Sequence, residues 1–282
     1  MENLDEKVVL VTGGASGIGR AMAEAFGARD ARLVMADIEE DALRSTAEDM
    51  RANGSTVLEV LTDVSDAGSM DRLAATALDE FGRVDVICLN AGVGGGGTMW
   101  DLSTGDWEWV IGVNLWGVIH GIRVFVPHLV AQGSGHVVIT ASIAGLVSAP
   151  GLGPYNATKH AAVSIAETLS GELVQANLDI GVSVLCPSFV KTRIWDSERN
   201  RPAHLSGGGE GLTVEERAAL ADAAEAYFAE ALDPAVVAEQ VVEAVEQRRF
   251  AILPNPELND LVRADVERLL SGEGPSGENP FF

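Results

Sequence analysis

Basic residues and long apolar runs are scarce in this chain. Its 19 lysines and arginines stand against 42 acidic residues, which leaves a net charge of -23. Nucleic acids and anionic membranes bind clustered cations, so we expect neither of them as a partner. No apolar run approaches the roughly 20 residues needed to cross a bilayer, and the acidic N-terminal residues lack the apolar region of a signal peptide. These absences predict a soluble, cytoplasmic protein.

Cysteine and metal-binding patterns are scarce too. The chain has 2 cysteines and 5 histidines. Cys88 and Cys186 each fall in a predicted buried strand, where a small reduced side chain is the ordinary interpretation. The histidines do not have the spacing of metal ligands. We therefore expect no metal site.

Low-complexity linkers that would divide the chain are missing as well. With 282 residues and 47% hydrophobic content, the chain can bury one large α/β core. We therefore expect a single domain over residues 1–282.

What the chain does contain is a glycine-rich turn near its start. Residues 7–20 read KVVLVTGGASGIGR, a buried strand followed by a helix that begins near Ser16. The free amides and the dipole at a helix start attract a diphosphate. Gly13 would allow the tight turn, Gly17 the approach of phosphates to the backbone, and Gly19 the close packing of helix on strand. A plain tight turn is the alternative interpretation.

An acidic residue follows at the distance expected of a ribose-binding group. Asp37 ends a second apolar run and lies 18 residues after Gly19. A carboxylate there accepts hydrogen bonds from ribose hydroxyls and repels a 2′-phosphate. No arginine or lysine occurs at residues 38–40 to offset that repulsion, so NAD is favoured over NADP. Asp37 as the cap of the next helix is the alternative.

A third strand, at residues 56–62, ends in Asp63 and Val64 on the same side of the predicted sheet. A carboxylate at this point can accept from the adenine amino group while the valine packs on the ring. The other interpretation is that Asp63 or Ser65 caps the helix predicted at residues 67–81.

Proton-transfer chemistry is indicated by Tyr155 and Lys159. The chain has only 2 tyrosines and three lysines, and one of each stands four residues apart, on one face of a predicted helix. An ammonium beside a phenol lowers the phenol pKa toward the range of a general acid or base. Ser142, at a strand end, stands thirteen residues upstream. An ordinary exposed helix pair is the alternative.

Together these residues resemble the short-chain dehydrogenase/reductase superfamily, over about residues 7–253. The resemblance implies an α/β fold, a Rossmann-type doubly wound parallel sheet of about seven strands with helices on both faces. TGGASGIG at residues 12–19 looks like its cofactor turn, residues 90–92 like its NAG motif, and Asn114, Ser142, Tyr155 and Lys159 like its catalytic tetrad. It implies cofactor contacts by Thr12, Gly13, Ser16, Gly17, Ile18, Gly19, Asp37, Ile38, Asp63, Val64, Asn90, Ala91, Gly92, Tyr155, Lys159, Pro187, Val190 and Thr192.

The mechanism implied by the resemblance is hydride transfer between the nicotinamide of NAD and a carbinol or carbonyl carbon. Tyr155 would exchange the hydroxyl proton and Ser142 would bind the substrate oxygen. Lys159 would lower the Tyr155 pKa and hold the nicotinamide ribose, and Asn114 would position a water that links Lys159 to solvent. Leu89 and Ser188 depart from the family pattern, where many members have Asn and Gly.

The substrate is expected to be a bulky apolar or aryl alcohol or ketone. Variable loops set it, above all the region of about residues 187–232. Its contacts are predicted at Ser142, Leu152, Tyr155, Phe189, Ile194 and Trp195, with Leu146, Val147 and Met99 as further apolar candidates. Residues 192–202 loosely resemble members acting on aryl alcohols. Alternatively, Arg193, Arg199 or Arg201 meets an acidic substrate such as an acyl thioester, or forms surface ion pairs.

Two rival functions share part of this pattern. A sugar-nucleotide epimerase shares the Tyr-Lys pair but needs a larger C-terminal domain, and a non-catalytic NAD(H)-binding sensor does not need the tetrad. We expect a homotetramer or homodimer, paired through the helices around Asn114 and Tyr155. The small residues that would permit close approach are Ala157, Ala161, Ala162 and Ser164. In the tail, residues 254–282, the terminal phenylalanines 281–282 either dock on a neighbour or fray.

Overall fold

Seven parallel strands form the centre of the protein. The computed structural model describes residues 3–205, 231–277 and 280. Valine, leucine and isoleucine dominate the strands. Apart from the two edge strands, they are almost wholly buried, as a parallel sheet covered by helices requires. The strands are β1 (Val8–Thr12), β2 (Arg32–Asp37), β3 (Val57–Leu61), β4 (Val86–Leu89), β5 (Ser134–Thr140), β6 (Asp179–Leu185) and β7 (Ala251–Ile252).

The order of the strands creates a crevice at one edge of the sheet. They run β3-β2-β1-β4-β5-β6-β7, so the chain passes from β3 at one edge back to the centre before β4. β1 therefore pairs with β2 on one side and with β4 on the other. Ligands of such sheets bind at this reversal, beyond the carboxyl ends of the strands. The predicted doubly wound parallel sheet is confirmed.

Eight helices of the described residues flank the sheet or follow it. They are α1 (Gly17–Gly27), α2 (Glu40–Ala52), α3 (Ala67–Phe81), α4 (Thr104–Ile111), α5 (Gly117–Gln132), α6 (Gly153–Gln175), α7 (Pro234–Gln247) and α8 (Asn259–Ser271). Two apolar cores result. One packs α1, α2 and α7 against the sheet, and the other packs α3, α5 and α6 against its opposite face.

The helical stretch at residues 104–132 is interrupted. Five residues, Gly112–Trp116, form a π-turn between α4 and α5, and Asn114 lies in its middle. Such turns are rare and occur often at functional sites. The whole stretch, Thr104–Gln132, is long and apolar enough to cross a membrane by length and composition, but half of its most apolar window is buried in the protein. That burial is the pattern of a core helix.

The tail and the substrate-loop region are described only in part, and one prediction elsewhere is corrected. In the tail, a short 3-10 turn, Pro256–Leu258, is followed by α8. Residues 206–230 of the predicted substrate-loop region lie outside the described residues, as do Phe281 and Phe282. Ala162 is fully buried within its own chain, so it cannot contribute to a helix interface between subunits as predicted.

Candidate active site

The turn between β1 and α1 presents bare backbone at the crevice. Gly13 has φ +67 and Gly17 has φ +53, a backbone conformation that favours glycine. A Cβ on Gly19 would lie 2.0 Å from the Gly13 carbonyl oxygen, so its absence lets α1 begin against the turn itself. Among the described residues, the Ser16 side chain makes no hydrogen bond that caps α1. The first amides of α1 are therefore available to an anion.

Asp37 is held rigidly at the end of β2. Its Oδ2 accepts a hydrogen bond from the Ala15 amide at 2.9 Å, and its Oδ1 accepts one from the Glu39 amide at 3.0 Å. Burial raises the pKa of Asp37, and these two hydrogen bonds oppose the rise. The residue at the cap position of α2 is Glu39, so the alternative in which Asp37 occupies that position is wrong.

The ends of β1 and β4 are tied together by Thr12 and Asn90. The Thr12 hydroxyl accepts from the Asn90 amide at 2.9 Å and from the Ala91 amide at 3.1 Å. The Asn90 side chain donates to the Thr12 carbonyl at 3.1 Å. Thr12 is 2% exposed and so acts from beneath the crevice, where it fixes the turn that begins at Asn90.

Asp63 and Val64 lie at the crevice as predicted from their strand end. The Asp63 carboxylate accepts from the amide and hydroxyl of Ser65, at 2.9 and 2.6 Å. The cap of α3 is Asp66, whose side chain accepts from the Gly68 and Ser69 amides. The alternative in which Asp63 or Ser65 caps this helix is therefore wrong.

Tyr155, Lys159 and Ser142 converge where β5 meets the start of α6. Lys159 Nζ lies 5.5 Å from the centre of the Tyr155 ring, and it donates a hydrogen bond to the Thr140 carbonyl at 3.0 Å. Ser142 Oγ accepts from the Ala144 amide at 3.2 Å and donates to the Pro187 carbonyl at 3.3 Å. The three side chains that the sequence singled out for proton transfer thus lie together.

Burial dominates the ionisation of these groups. It raises the pKa of Tyr155, and the hydrogen bond with Ser142 opposes the rise only in part. It lowers the pKa of Lys159 from 10.5 to about 8. The direction of the Tyr155 shift is opposite to the one expected from Lys159 alone, because burial disfavours the charged phenolate.

Asn114 reaches this group from the π-turn. Its side-chain oxygen accepts from the Val93 amide at 2.8 Å, and its side-chain nitrogen donates to the Val93 carbonyl at 2.9 Å and to the Thr158 hydroxyl at 3.4 Å. Gly92 separates it from the ammonium, since a Cβ there would lie 3.4 Å from Asn114 Oδ1 and 3.5 Å from Lys159 Nζ. Asn114 thus fixes the loop that follows β4.

One cavity of about 930 Å³ joins the two ends of the site. It is bordered by Asp37 and Asp63 at one end and by Ser142, Tyr155 and Lys159 at the other. The other predicted residues that line it are Gly13, Ser16, Gly17, Ile18, Ile38, Val64, Asn90, Ala91, Gly92, Leu152, Pro187, Phe189, Val190, Thr192, Ile194 and Trp195. Thr12, Gly19 and Asn114 do not line it and act by supporting residues that do.

Three further apolar candidates lie apart from this cavity. Leu146 and Val147 are not among its lining residues, and Val147 packs in the interior at 1% exposure. Met99 also lies outside the lining and packs beside Gly153. Their predicted place in the substrate pocket is therefore wrong, because the turn after Ser142 directs Val147 into the core.

The three arginines considered for an acidic substrate each meet a carboxylate of the same chain. Arg193 pairs with Asp196, Arg199 with Glu39, and Arg201 with Asp106, at 2.8, 2.7 and 2.6 Å. Glu39 and Asn200 also line the cavity, and sequence reasoning did not select either of them. The charged run at residues 196–201 indicated that ion pairs form there, but nothing in the sequence showed that the partner would be Glu39, 160 positions away.

Within the described residues, no group of three or more His, Cys, Asp or Glu side chains is arranged to hold a metal ion. The crevice does, however, have the features of a nucleotide-binding site. A glycine turn without side chains, the uncapped start of α1 and the buried Asp37 carboxylate together fit a dinucleotide.

Comparison with known proteins matches nearly the whole chain. The family model described as short chain dehydrogenase matches residues 7–203. A CLA biosynthesis dehydrogenase/reductase of Lactiplantibacillus plantarum is 34% identical over 277 residues, 98% of this chain and 97% of that protein. A C alpha-dehydrogenase of Sphingobium sp. (strain NBRC 103272 / SYK-6) is 31% identical over 282 residues, 99% of this chain and 90% of the relative.

A solved structure agrees with the fold over the same extent. The short chain dehydrogenase/reductase SDR from Burkholderia phymatum, in complex with NAD, superposes with a TM-score of 0.92 at 43% identity, and the match covers 98% of each chain.

Proposed function

Because this chain belongs to the short-chain dehydrogenase family and is an oxidoreductase of that family, we propose that it interconverts a secondary alcohol and a ketone with NAD as coenzyme. The convergence of Tyr155, Lys159 and Ser142 on the cavity that Asp37 borders carries the proposal. The complex of the Burkholderia phymatum protein with NAD supports the choice of coenzyme.

The chain's own residues divide the binding of NAD between two ends of the cavity. The turn from Gly13 to Gly19 and the start of α1 would hold the diphosphate, and Asp37 would accept from the adenosine ribose hydroxyls. Its carboxylate, with Glu39 beside it, disfavours the 2′-phosphate of NADP. When bound, the nicotinamide supplies or accepts the hydride.

Proton transfer falls to the residues at the start of α6. Tyr155 exchanges the proton of the substrate oxygen, and Ser142 donates a hydrogen bond to that oxygen as charge develops on it. Lys159, anchored on the Thr140 carbonyl, keeps a positive charge near the phenol. Asn114 fixes Val93 and with it the wall of the cavity next to Lys159.

The substrate end of the cavity favours a bulky, uncharged molecule. Leu152, Phe189, Ile194 and Trp195 supply an apolar lining. The arginines considered for an acidic substrate are paired with carboxylates of the chain. The loose resemblance of residues 192–202 to members acting on aryl alcohols supports the choice of an aryl alcohol.

Initial rates with a panel of aliphatic, aryl and steroid secondary alcohols test this proposal. We expect NAD-dependent oxidation that is fastest with aryl alcohols and slower by about 100-fold or more in Tyr155→Phe. NADH binding by that variant, measured by fluorescence titration, should stay near the wild-type value. Tight NADH binding without oxidation of any alcohol would contradict the proposed reaction and favour a sensor.

A further inference from the structure

A short segment after β6 contacts both sides of the cavity. We name residues 193–201 the bridging segment. Seven of its members line the cavity: Arg193, Ile194, Trp195, Ser197, Glu198, Arg199 and Asn200. Its middle forms the short helix Ile194–Asn200. The apolar residues at its start border the substrate end, so the position of this segment decides the shape of that end.

One side of the bridging segment is held by Glu39, two residues after Asp37. Glu39 Oε1 accepts from Arg199 Nε at 3.1 Å, from Arg199 Nη2 at 2.7 Å and from Asn200 Nδ2 at 2.9 Å. Partial burial raises the pKa of Glu39, but the hydrogen bonds from Arg199 and Asn200 outweigh it and the net shift is downward. Glu39 is therefore a carboxylate at neutral pH.

Arg199 also organises the bridging segment itself. Its Nη1 donates to the carbonyl oxygens of Arg193 and Asp196, at 3.0 and 2.8 Å. The same guanidinium thus closes the turn and attaches it to Glu39. Arg199 therefore connects Glu39 to the backbone on either side of Ile194 and Trp195.

The other side is held by the loop after β4 and by α4. Gly94 donates its amide hydrogen to the Ser197 hydroxyl at 2.9 Å. Arg201 donates to Asp106 at 2.6 Å and lies 5.2 Å from the centre of the Trp109 ring. The Arg201 side chain is only 10% exposed, so this attachment is the more buried of the two.

The hydrogen bonds of Glu39 are thus the ones that can break more easily than those on the Asp106 side. The side chains of Arg199 and Glu39 are 20% and 24% exposed, and a pair that water reaches adds little to the stability of a whole fold. Loss of the Glu39 contacts would free the side of the bridging segment that lies nearest Asp37.

We propose that Glu39 is a positioning residue that holds the bridging segment closed over the coenzyme and so slows release of the coenzyme. The inference rests on the proposed function, because it takes the cavity as the coenzyme site. Glu39 acts through Arg199 and Asn200 and does not itself touch the reacting atoms. It couples the adenosine end of the site to the substrate end.

Stopped-flow measurement of NADH release tests the role of Glu39. We expect Glu39→Gln and Arg199→Met each to speed NADH release by about tenfold, since each removes the charge-assisted hydrogen bonds. The double variant should release NADH no faster than either single one, because the two residues act as a unit. Glu40→Gln removes an exposed charge at the start of α2, one position away, and should release NADH as the wild type does.

Hydrogen exchange of residues 193–201 distinguishes a positioning role of Glu39 from a general loss of stability. NADH should slow exchange in this segment of the wild type, and Glu39→Gln should lose that protection while keeping the wild-type melting temperature. Asn200→Ala, which removes one neutral donor, should show a smaller effect in the same direction.

The outcomes separate the two proposals. Equal NADH release by Glu39→Gln and Glu40→Gln, or fully additive effects of the Glu39 and Arg199 changes, would overturn the positioning role. A wild type that binds NADH but oxidises no alcohol would refute only the proposed reaction. A wild type that binds no NADH would refute both.

Discussion

At the scale of single residues, the ionisation of Tyr155 sets the direction in which pH acts. Burial raises its pKa, so the phenol is protonated at neutral pH. The protonated form donates to a ketone, and the phenolate accepts from an alcohol. We predict that kcat/KM for alcohol oxidation rises with pH into the alkaline range, while kcat/KM for ketone reduction is highest near neutrality. A rate of oxidation that does not rise above neutral pH would contradict this prediction.

Asp37 is the residue on which coenzyme choice depends. Asp37→Asn keeps the shape of the side chain and removes the charge that disfavours a 2′-phosphate. We predict that the ratio of kcat/KM with NAD to that with NADP falls at least about tenfold, a change of ~1.4 kcal/mol in relative binding of the transition states. Asp63→Asn, which removes a carboxylate farther along the same edge, serves as the control and should change the ratio less.

At the scale of elements, the junction of β1 and α1 depends on the missing side chain of Gly19. An added methyl group would meet the Gly13 carbonyl, which is backbone and cannot rotate away. We predict that Gly19→Ala lowers the free energy of unfolding by about 2 kcal/mol or more, because the turn must shift. NADH binding should weaken with it.

Gly171 in α6 is the matched control for that substitution. Among the described residues, a Cβ there meets nothing within 4 Å, and its φ is not positive. Gly171→Ala should raise the free energy of unfolding by about 0.5–1 kcal/mol, since alanine loses less entropy in a helix. Urea titrations of both variants check the opposite signs. A loss of stability in both would show that the cost is not specific to the turn.

The strands β5, β6 and β7 are joined by a buried histidine. The Ser183 hydroxyl donates to the Arg249 carbonyl at 2.6 Å, so it accepts the hydrogen bond that joins it to His136 Nε2 at 2.8 Å. His136 Nδ1 then carries a lone pair and has no partner among the described residues. A Cβ on Gly181 would lie 2.3 Å from this nitrogen, so strand β6 covers it closely.

Acid should therefore destabilise the sheet through His136. Burial lowers the pKa of His136 from 6.5 to about 3. Below the pKa of this histidine in the unfolded chain, ~6.5, the unfolded chain binds one proton more than the folded chain does. The contribution of His136 to the free energy of unfolding is therefore complete above pH ~6.5 and falls by ~1.4 kcal/mol per pH unit as the pH drops. We predict that His136→Gln, which cannot titrate, loses less stability between neutral and mildly acidic pH than the wild type. Urea midpoints at both pH values check this.

At the scale of the whole molecule, we propose a homotetramer or homodimer paired through the π-turn and α6. Ala157 and Ser164 of α6 are exposed, and Trp116 of the π-turn is 48% exposed and stacks on His120. We predict that light scattering gives the mass of two or four chains. Ser164→Arg, which adds a bulky charge to this face, should shift the mass toward one chain. A single-chain mass for the wild type would contradict the proposal.

The sequence by itself, through its motifs and the family resemblance that they carry, indicated the doubly wound sheet and most of the residues that line the site. Apolar runs of strand length alternate with helical periodicity, and that pattern admits few arrangements other than a doubly wound parallel sheet. Glycine spacing, the position of Asp37 and the Tyr-Lys interval are local features, because each depends on neighbours within a turn or a helix. Such local features can be recognised in the sequence without knowledge of the fold.

Only the tertiary structure decided which distant residues meet and how deeply each group is buried. The contact of Glu39 with Arg199 and Asn200 joins residues about 160 positions apart, and no local pattern in the sequence records it. The pKa of Tyr155 is raised, opposite to the direction expected from Lys159, because burial disfavours the phenolate. The burial of Val147 and Ala162 was also hidden, since both positions carry side chains that suit a surface or a core. Contact between distant segments and loss of solvent are properties of the packed chain.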